Sequence, residues 1–183
     1  MEQVYHYLAT FPNHCEWVQT LDRMEQVGFE YNMGEAMIDI QQSVTIERPV
    51  EEVFGFVRDV RNDPKWNQDM LAVRQSMEGA IDVGTTFDVQ FKPFMGASAC
   101  SMRVGAHELN RRIEFTGSPI PAIQAHSTFL FEPTDTGTRV TRRQQFQVSG
   151  WLRLVQPLMR LQLRKSQAAM LINLKRVLET GAH

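Results

Sequence analysis

The chain has 183 residues, of which 43% are hydrophobic and 22% are charged, and its formal net charge is −2. This length favours one domain, or one domain with an appendage, large enough to fold without disulfide or metal crosslinks. The composition excludes disorder as the main feature of the chain, and the weak net charge argues against nucleic-acid binding. The ten methionines and eleven phenylalanines point to adaptable apolar space, in a core or in a ligand cavity.

The charge is distributed unevenly along the chain. Residues 1–36 carry six acidic residues and one basic residue, whereas residues 151–183 carry six basic residues and one acidic residue. The two segments are able to pair within one chain or between two chains. Two separately solvated helix faces are the favoured interpretation, because exposed ion pairs are individually weak.

The first 36 residues form an acidic helical appendage in this interpretation, and residues 37–183 form the main domain. Apolar residues at Trp17, Leu21, Met24 and Val27 predict one face of a helix that ends at Gly28. The N-terminus has no signal-peptide pattern, and no apolar run approaches the ~20 residues of a membrane span. We therefore expect a cytoplasmic protein with two free thiols, Cys15 and Cys100, although one disulfide stays open as an alternative.

The main domain begins with alternating residues that predict a half-buried strand over 38–46. Pro49 then predicts the first turn of a short apolar helix, and Asp63 begins a second turn or helix. Six further strands are predicted over 70–78, 85–92, 98–108, 111–117, 123–132 and 138–148, separated by turn residues. Residues 151–180 predict a long closing helix that Pro157 starts or kinks. The order predicts an α+β fold, a curved seven-stranded antiparallel sheet with one long helix.

Five segments in this order resemble the START / Bet v 1-like (SRPBCC) superfamily, within it the polyketide cyclase/dehydrase and lipid-transport group. They are residues 43–54 (SVTIERPVEEVF), 63–66 (DPKW), 83–87 (VGTTF), 131–141 with FEP and GTRVT at its two ends, and 174–179 (LKRVLE). The resemblance covers about residues 37–180. It implies a helix-grip fold, with the sheet wrapped around the C-terminal helix and a deep pocket beneath that helix.

The superfamily includes polyketide aromatases and cyclases, lipid and sterol carriers and hormone receptors, so the resemblance implies a site and not a reaction. Residues 1–36 lie outside it and are weakly similar to the tail of quinone-type class I methyltransferases, without any methyl-donor site. Chance similarity, an upstream start before Met37, and a helix that packs on the domain or on a partner are the alternatives for this segment.

Alternation along the strands predicts which side chains face the helix and line the pocket. Trp66 is predicted beside the cavity, more as a structural plug at its mouth than as a ligand-stacking ring. Cys100 is expected to act as a small buried hydrophobe and not as a nucleophile. The predicted apolar and hydroxyl lining is Trp66, Phe87, Val89, Phe91, Cys100, Met102, Phe115, Ser127, Phe129, Met159, Leu163 and Met170.

Two polar residues, Arg142 and Gln144, share the inward parity of the last strand. A buried guanidinium must be matched by a carboxylate, by carbonyl oxygens or by a ligand oxygen. One interpretation is that Arg142 and Gln144 orient a polar group of an apolar ligand. The others are that strand curvature turns Arg142 to the rim, that an internal acid satisfies it, or that a one-residue slip places Arg143 and Gln145 inward.

The histidines give no catalytic or metal signal. His107 and His126 are predicted to point outward, the other three lie near the termini, and no pair has a metal-ligand spacing. The chain also has no Gly-rich phosphate loop. No metal and no cofactor are expected.

The sequence thus predicts a carrier or binding protein for a lipid, an isoprenoid or a polyketide-like compound. The alternative is a polyketide aromatase/cyclase or dehydratase, in which Arg142 holds a carbonyl or enolate oxygen. A third hypothesis is peripheral contact with an anionic membrane through Arg160, Arg164 and Lys165 beside Leu161 and Leu163. The expected assembly is a monomer or a homodimer.

Overall fold

The structure is a computed structural model that describes residues 36–181. The predicted helix before Gly28, Cys15 and the histidines near the termini lie outside the described residues. The domain boundary near residue 36 therefore stays a prediction.

Seven strands form one antiparallel sheet in the order β1-β7-β6-β5-β4-β3-β2, which confirms the predicted sheet. Consecutive strands from β2 to β7 pair with each other, and β1 pairs with β7 at one edge of the sheet. The strands are β1 (Ala36–Ile46), β2 (Met70–Gln75), β3 (Thr86–Phe94), β4 (Ala97–Glu108), β5 (Arg112–Ile120), β6 (Ile123–Thr134) and β7 (Gly137–Val148).

Two helices and two 3₁₀ segments complete the described chain. Helix α1 (Val50–Arg58) follows Pro49 and carries Glu51 and Glu52 in its first turn. The positive end of the helix dipole stabilises acidic side chains there. A 3₁₀ segment, Val60–Lys65, leads into β2, and a second, Gly150–Val155, leads into helix α2 (Gln156–Thr180). Pro157 lies in the first turn of α2, so it starts the long helix and does not kink it.

The main difference from the predicted elements lies in β5. The run Gly117-Ser118-Pro119 predicts a turn, but the strand continues to Ile120 and the chain turns at Pro121 and Ala122. A shift in pairing between Gly117 and Ile120 absorbs the proline, which has no N–H for a regular sheet ladder. The strand over 70–78 is also shorter than predicted, because β2 ends at Gln75.

The residues between the sheet and α2 form two apolar clusters. The larger one, here called the closed end, includes Val53, Phe54, Phe131, Val140 and Leu174, each at most 3% exposed. The smaller one, here called the open end, has Ile38, Phe146 and Leu152 at its centre, surrounded by half-buried apolar residues. The half-buried set at the open end is Phe94, Met95, Ile120, Ala122, Ala125, Val155, Met159 and Leu163.

Helix α2 is held firmly at its C-terminal half. The Arg48 guanidinium donates hydrogen bonds to the carbonyl oxygens of Leu178 (3.1 Å) and Glu179 (2.8 Å). Lys175 Nζ donates to the carbonyl oxygen of Thr45 at 2.8 Å, and the backbone N–H of Glu47 donates to the Glu179 carboxylate at 2.8 Å. These bonds tie the last turns of α2 to the end of β1 and the connection that follows it, and the two from Arg48 satisfy carbonyls that a helix end leaves free.

Among the described residues no helix is long and apolar enough to cross a membrane. The cytoplasmic location expected from the sequence stays a prediction.

Candidate ligand-binding site

Arg142 lies in the middle of β7 with its side chain directed towards α2. It is 6% exposed, whereas its neighbour Arg143 is exposed on the opposite face and pairs with Asp39. The residue of β7 that faces inward is therefore Arg142 and not Arg143. The two alternatives that the sequence left open, a one-residue slip in register and a turn of Arg142 to the rim, do not occur.

The Arg142 guanidinium is surrounded mainly by rings and sulfur. Its Nε donates to the Ser127 hydroxyl at 3.2 Å, and Nη1 lies 3.4 Å from the thioether sulfur of Met170, a weak acceptor. The guanidinium carbon is 5.7 Å from the ring centre of Trp66 and 5.2 Å from that of Phe129. These cation–π contacts stabilise the positive charge without supplying an oxygen acceptor.

No carboxylate forms an ion pair with Arg142 within residues 36–181. Burial lowers the pKa of Arg142 to about 10, and the charge of Asp63 only partly opposes this shift. Asp63, in the 3₁₀ segment before β2, is also buried, and burial raises its pKa to about 7 against the influence of Arg142 and Trp66. The Trp66 indole N–H lowers the pKa of Asp63. Its Nε1 does not reach normal hydrogen-bond geometry to any described group.

Gln144 of β7 and Gln167 of α2 form an amide pair next to Arg142. Gln144 is the next residue of β7 after Arg142 whose side chain faces inward. Gln144 accepts a hydrogen bond of 2.8 Å from Nε2 of Gln167, a residue of α2 that is 1% exposed. The side-chain amide oxygen of Gln167 is buried and has no hydrogen-bond partner among the described residues. Gln42 of β1 is half-buried and lies directly opposite Arg142. Polar groups from β1, β6, β7 and α2 therefore separate the closed end from the open end.

The predicted lining residues divide into two groups. Trp66, Phe87, Val89, Phe115 and Phe129 are at most 4% exposed and belong to the closed end, where they pack as core. The others on the inner side are half-buried: Phe91, Cys100, Met102 and Met170 border the closed end, and Met159 and Leu163 border the open end. Ser127 is 8% exposed and contacts Arg142. A ligand-binding role for the whole set stays a prediction.

His107 corrects one prediction. Strand parity placed it on the outer face, but a shift in the pairing of β4 with β5 between Val104 and His107 changes its side. Its ring stacks on Phe54 at 5.5 Å, and its side chain is only 14% exposed. His126 is on the outer face as predicted, with Nε2 3.4 Å from a carboxylate oxygen of Glu114.

Sequence reasoning missed three polar groups of the site. Gln167 stood out only as the interruption of an apolar helix stripe, and Gln42 lies on the inward parity of β1 between Ile40 and Val44. Both signals were readable, because each breaks an otherwise apolar period. Asp63 offered no such signal, since it lies in an irregular segment where no parity applies.

Comparison with known proteins places the chain in a family. The family model for polyketide cyclase / dehydrase and lipid transport matches residues 37–179. The chain belongs to this family. No curated protein is similar enough in sequence to count as a relative.

Solved structures share the fold at low sequence identity. The Zhui aromatase/cyclase from Streptomyces sp. R1128 has a TM-score of 0.66 at 12% identity, covering 81% of this chain and 97% of its own. Ara h 8.0201 has a TM-score of 0.60 at 16% identity, covering 78% and 98%. A protein of unknown function from Staphylococcus aureus, SA2116, has a TM-score of 0.66 at 11% identity, covering 82% and 98%. These likenesses confirm a Bet v 1-like helix-grip fold.

The arrangement has a definite chemical capacity. It offers a buried positive charge at Arg142 and, on α2, a buried side-chain amide oxygen of Gln167 that has no partner in the described chain. Because the apolar surroundings exclude water, hydrogen bonds from the Arg142 guanidinium to a ligand oxygen are strong.

Proposed function

We propose that the protein binds a hydrophobic small molecule, such as a lipid, an isoprenoid or a polyketide-like compound, between the sheet and α2. An oxygen atom of the ligand accepts hydrogen bonds from Arg142. The observation that carries this proposal is the burial of Arg142 with the Ser127 hydroxyl as its one oxygen partner in the described chain. The family contains lipid-transport proteins, which agrees with a carrier role.

The energetics favour a ligand over a structural role for Arg142. A buried ion without a good partner costs several kcal/mol, and apolar residues of similar volume are often neutral or stabilising in its place. Met170, Trp66 and Phe129 already form an apolar surrounding in which methionine would pack well. A cationic side chain in this position therefore weakens the empty protein and strengthens the bound one.

The experiment that tests this proposal is extraction of the ligand that co-purifies with the protein. Native mass spectrometry measures the bound mass, and denaturing extraction identifies the compound. The matched variants are Arg142→Met and Arg143→Met, adjacent residues on opposite faces of β7. We expect Arg143→Met to retain the compound and Arg142→Met to lose most of it. Equal retention by both variants would reject the role of Arg142.

An alternative function of the same site is a cyclase or dehydratase activity. One observation favours it: Asp63 is buried near Arg142, and its pKa of about 7 suits general acid or base catalysis near neutral pH. In that case Asp63→Asn co-purifies with a precursor, which differs by one water from the compound in the wild-type protein if the reaction is a dehydration. Identical compounds in both proteins would remove the support for chemistry at Asp63.

We further propose that the outer face of α2 contacts an anionic membrane while a ligand is exchanged. Leu161 is 53% exposed between Arg160 and the exposed pair Arg164 and Lys165. Basic side chains around an exposed apolar residue favour the surface of anionic bilayers. Replacement of the three basic residues by glutamine is expected to reduce sedimentation with phosphatidylserine vesicles. Unchanged sedimentation would reject this contact.

A further inference from the structure

We infer that the ligand enters at the open end with its polar group first, and that it is an elongated amphiphile with an acceptor oxygen at one end and a hydroxyl group behind it. The inference rests on the proposed function and adds to it the direction of entry and the order of polar groups along the ligand. Three features of the structure support it.

The first feature is that the space beyond Arg142 is filled. The next inward residue of β7 towards the closed end is Val140, which is 0% exposed. Leu171, Leu174 and Val177 of α2 close over it at 2% exposure or less. The hydrogen bonds from Arg48 and Lys175 hold this half of α2 against β1 and its following turn. A ligand tail therefore finds no room on this side, since interiors packed to this degree do not yield without cost.

The second feature is that the segment of α2 over the open end is loosely held. Between Gln156 and Ser166 of α2 every residue is half-buried or exposed. Over these residues one side-chain hydrogen bond links the helix to the sheet, from Gln156 Nε2 to the carbonyl oxygen of Met37 at 2.9 Å. The turn between β3 and β4, with Met95 at φ 49° and Gly96 at φ 84°, borders the same end. Few contacts and half-exposed apolar side chains are the marks of a segment that opens at low cost.

The third feature is the order of donors and acceptors along the site. Arg142 is a donor and lies at the inner limit, where the Ser127 hydroxyl is its one oxygen partner within residues 36–181. The buried Gln167 oxygen, an acceptor without a partner in the described chain, lies nearer the open end beside Gln144. Donors recognise a carboxylate or carbonyl oxygen, whereas a lone acceptor recognises a hydroxyl group. The ligand therefore carries its acceptor oxygen at the leading end and its hydroxyl behind.

The apolar body of the ligand lies against the remaining stretch of β7. Arg142 and Phe146 are four residues apart, which is about 13 Å along a strand. Phe146 and Val148 are covered at 9% and 0% exposure, and the half-buried Met159 and Leu163 of α2 pack against the same cluster. The ligand body therefore takes this place when the segment of α2 that carries Met159 and Leu163 moves away from the sheet. A flexible chain fits methionine-rich surroundings well, because methionine adapts its shape to irregular ligands.

The test uses stearic acid that carries a nitroxide at carbon 5 or at carbon 16, bound to protein with ¹³C-labelled methionine methyl groups. Met170 lies 3.4 Å from Arg142, whereas Met95 and Met159 belong to the open end. We expect the carbon-5 probe to broaden the Met170 signal most, and the carbon-16 probe to broaden the Met95 and Met159 signals. The reverse pattern would overturn the direction of entry and the contact of the ligand oxygen with Arg142, and would leave in place only the binding of a hydrophobic molecule between the sheet and α2.

A competition measurement tests the order of polar groups. We expect 3-hydroxypalmitate to bind about ten times more tightly than palmitate, as measured by displacement of the carbon-16 probe. Hexadecanol should bind more weakly than either acid. Equal affinity of the two acids would overturn the hydroxyl assignment. If neither acid nor probe binds while the co-purified compound is retained, the inferred ligand class is wrong. If the co-purified compound is also absent from the wild-type protein, the proposed function itself fails.

Discussion

Both halves of α2 pack against the same sheet, but the C-terminal half is tightly packed and the N-terminal half is loosely packed. The C-terminal half covers the closed end with Leu171, Leu174 and Val177, and backbone carbonyls of this half are bound by Arg48. The N-terminal half covers the open end with half-buried residues such as Met159 and Leu163. Between them lie Arg142 and the amide pair.

In the function proposed above, this difference separates stability from binding within one helix. The closed end supplies the dense core that holds the fold, while the open end leaves apolar surface incompletely covered. A soluble domain without function would gain by packing both halves equally, since each buried methylene contributes about 0.8 kcal/mol. The looser cover of one half agrees with the proposal that a ligand completes the core there.

The largest expected effect comes from matched truncations in the two halves. Leu174→Ala, at 0% exposure, should cost about 2–5 kcal/mol of unfolding free energy because it leaves a cavity in the closed end. Leu163→Ala, at a half-buried position, should cost about 1 kcal/mol. Urea denaturation of ligand-free protein measures both. Equal costs would contradict the division of α2 into two differently packed halves.

The amide pair between the two ends gives a second, smaller effect. Gln144→Leu leaves both polar atoms of the Gln167 amide buried without partners, which should cost about 1–3 kcal/mol. The double variant with Gln167→Leu should recover most of this loss, because apolar groups then replace both partners. Gln147→Leu, at an exposed position on the outer face of the same strand, serves as the control, with an expected change within about 0.5 kcal/mol. A double variant less stable than Gln144→Leu would show that the pair does not act as a unit.

Asp63 gives an effect that depends on pH. Burial raises its pKa from 3.8 to about 7 in the folded protein, with Asp59 adding to the rise and Arg142 opposing it. The folded state therefore binds this proton more tightly than the unfolded state, so the contribution is full below about pH 4 and is lost as the pH rises to about 7.

The variant Asp63→Asn keeps the neutral shape and removes this titration. Between pH 4 and pH 7 the stability of the wild-type protein should fall relative to that of the variant, as measured by thermal unfolding at several pH values. A constant difference between the two proteins over this range would show that Asp63 does not titrate as the buried position requires.

The sequence predicted most of the fold because the fold follows from local patterns. Alternation and turn residues predicted all seven strands, and the helix formers with Pro157 and Gly181 predicted α2. Parity on β7 also predicted the inward direction of Arg142, which is 6% exposed. The failures occurred where the pattern is interrupted: a bulge in β4 turns His107 inward, and the irregular segment that holds Asp63 has no period. The difference in packing between the two halves of α2 depends on contacts between distant segments, which single-sequence patterns do not contain.

The most direct test of the account measures stability and binding together in Arg142→Met, with Arg143→Met as control. The ligand-free Arg142→Met protein should be at least as stable as the wild-type protein, because it removes a buried ion without an ion-pair partner. The same variant should lose the co-purified compound, while Arg143→Met retains it. A variant that is several kcal/mol less stable and still retains the compound would show that Arg142 serves the core and not the ligand.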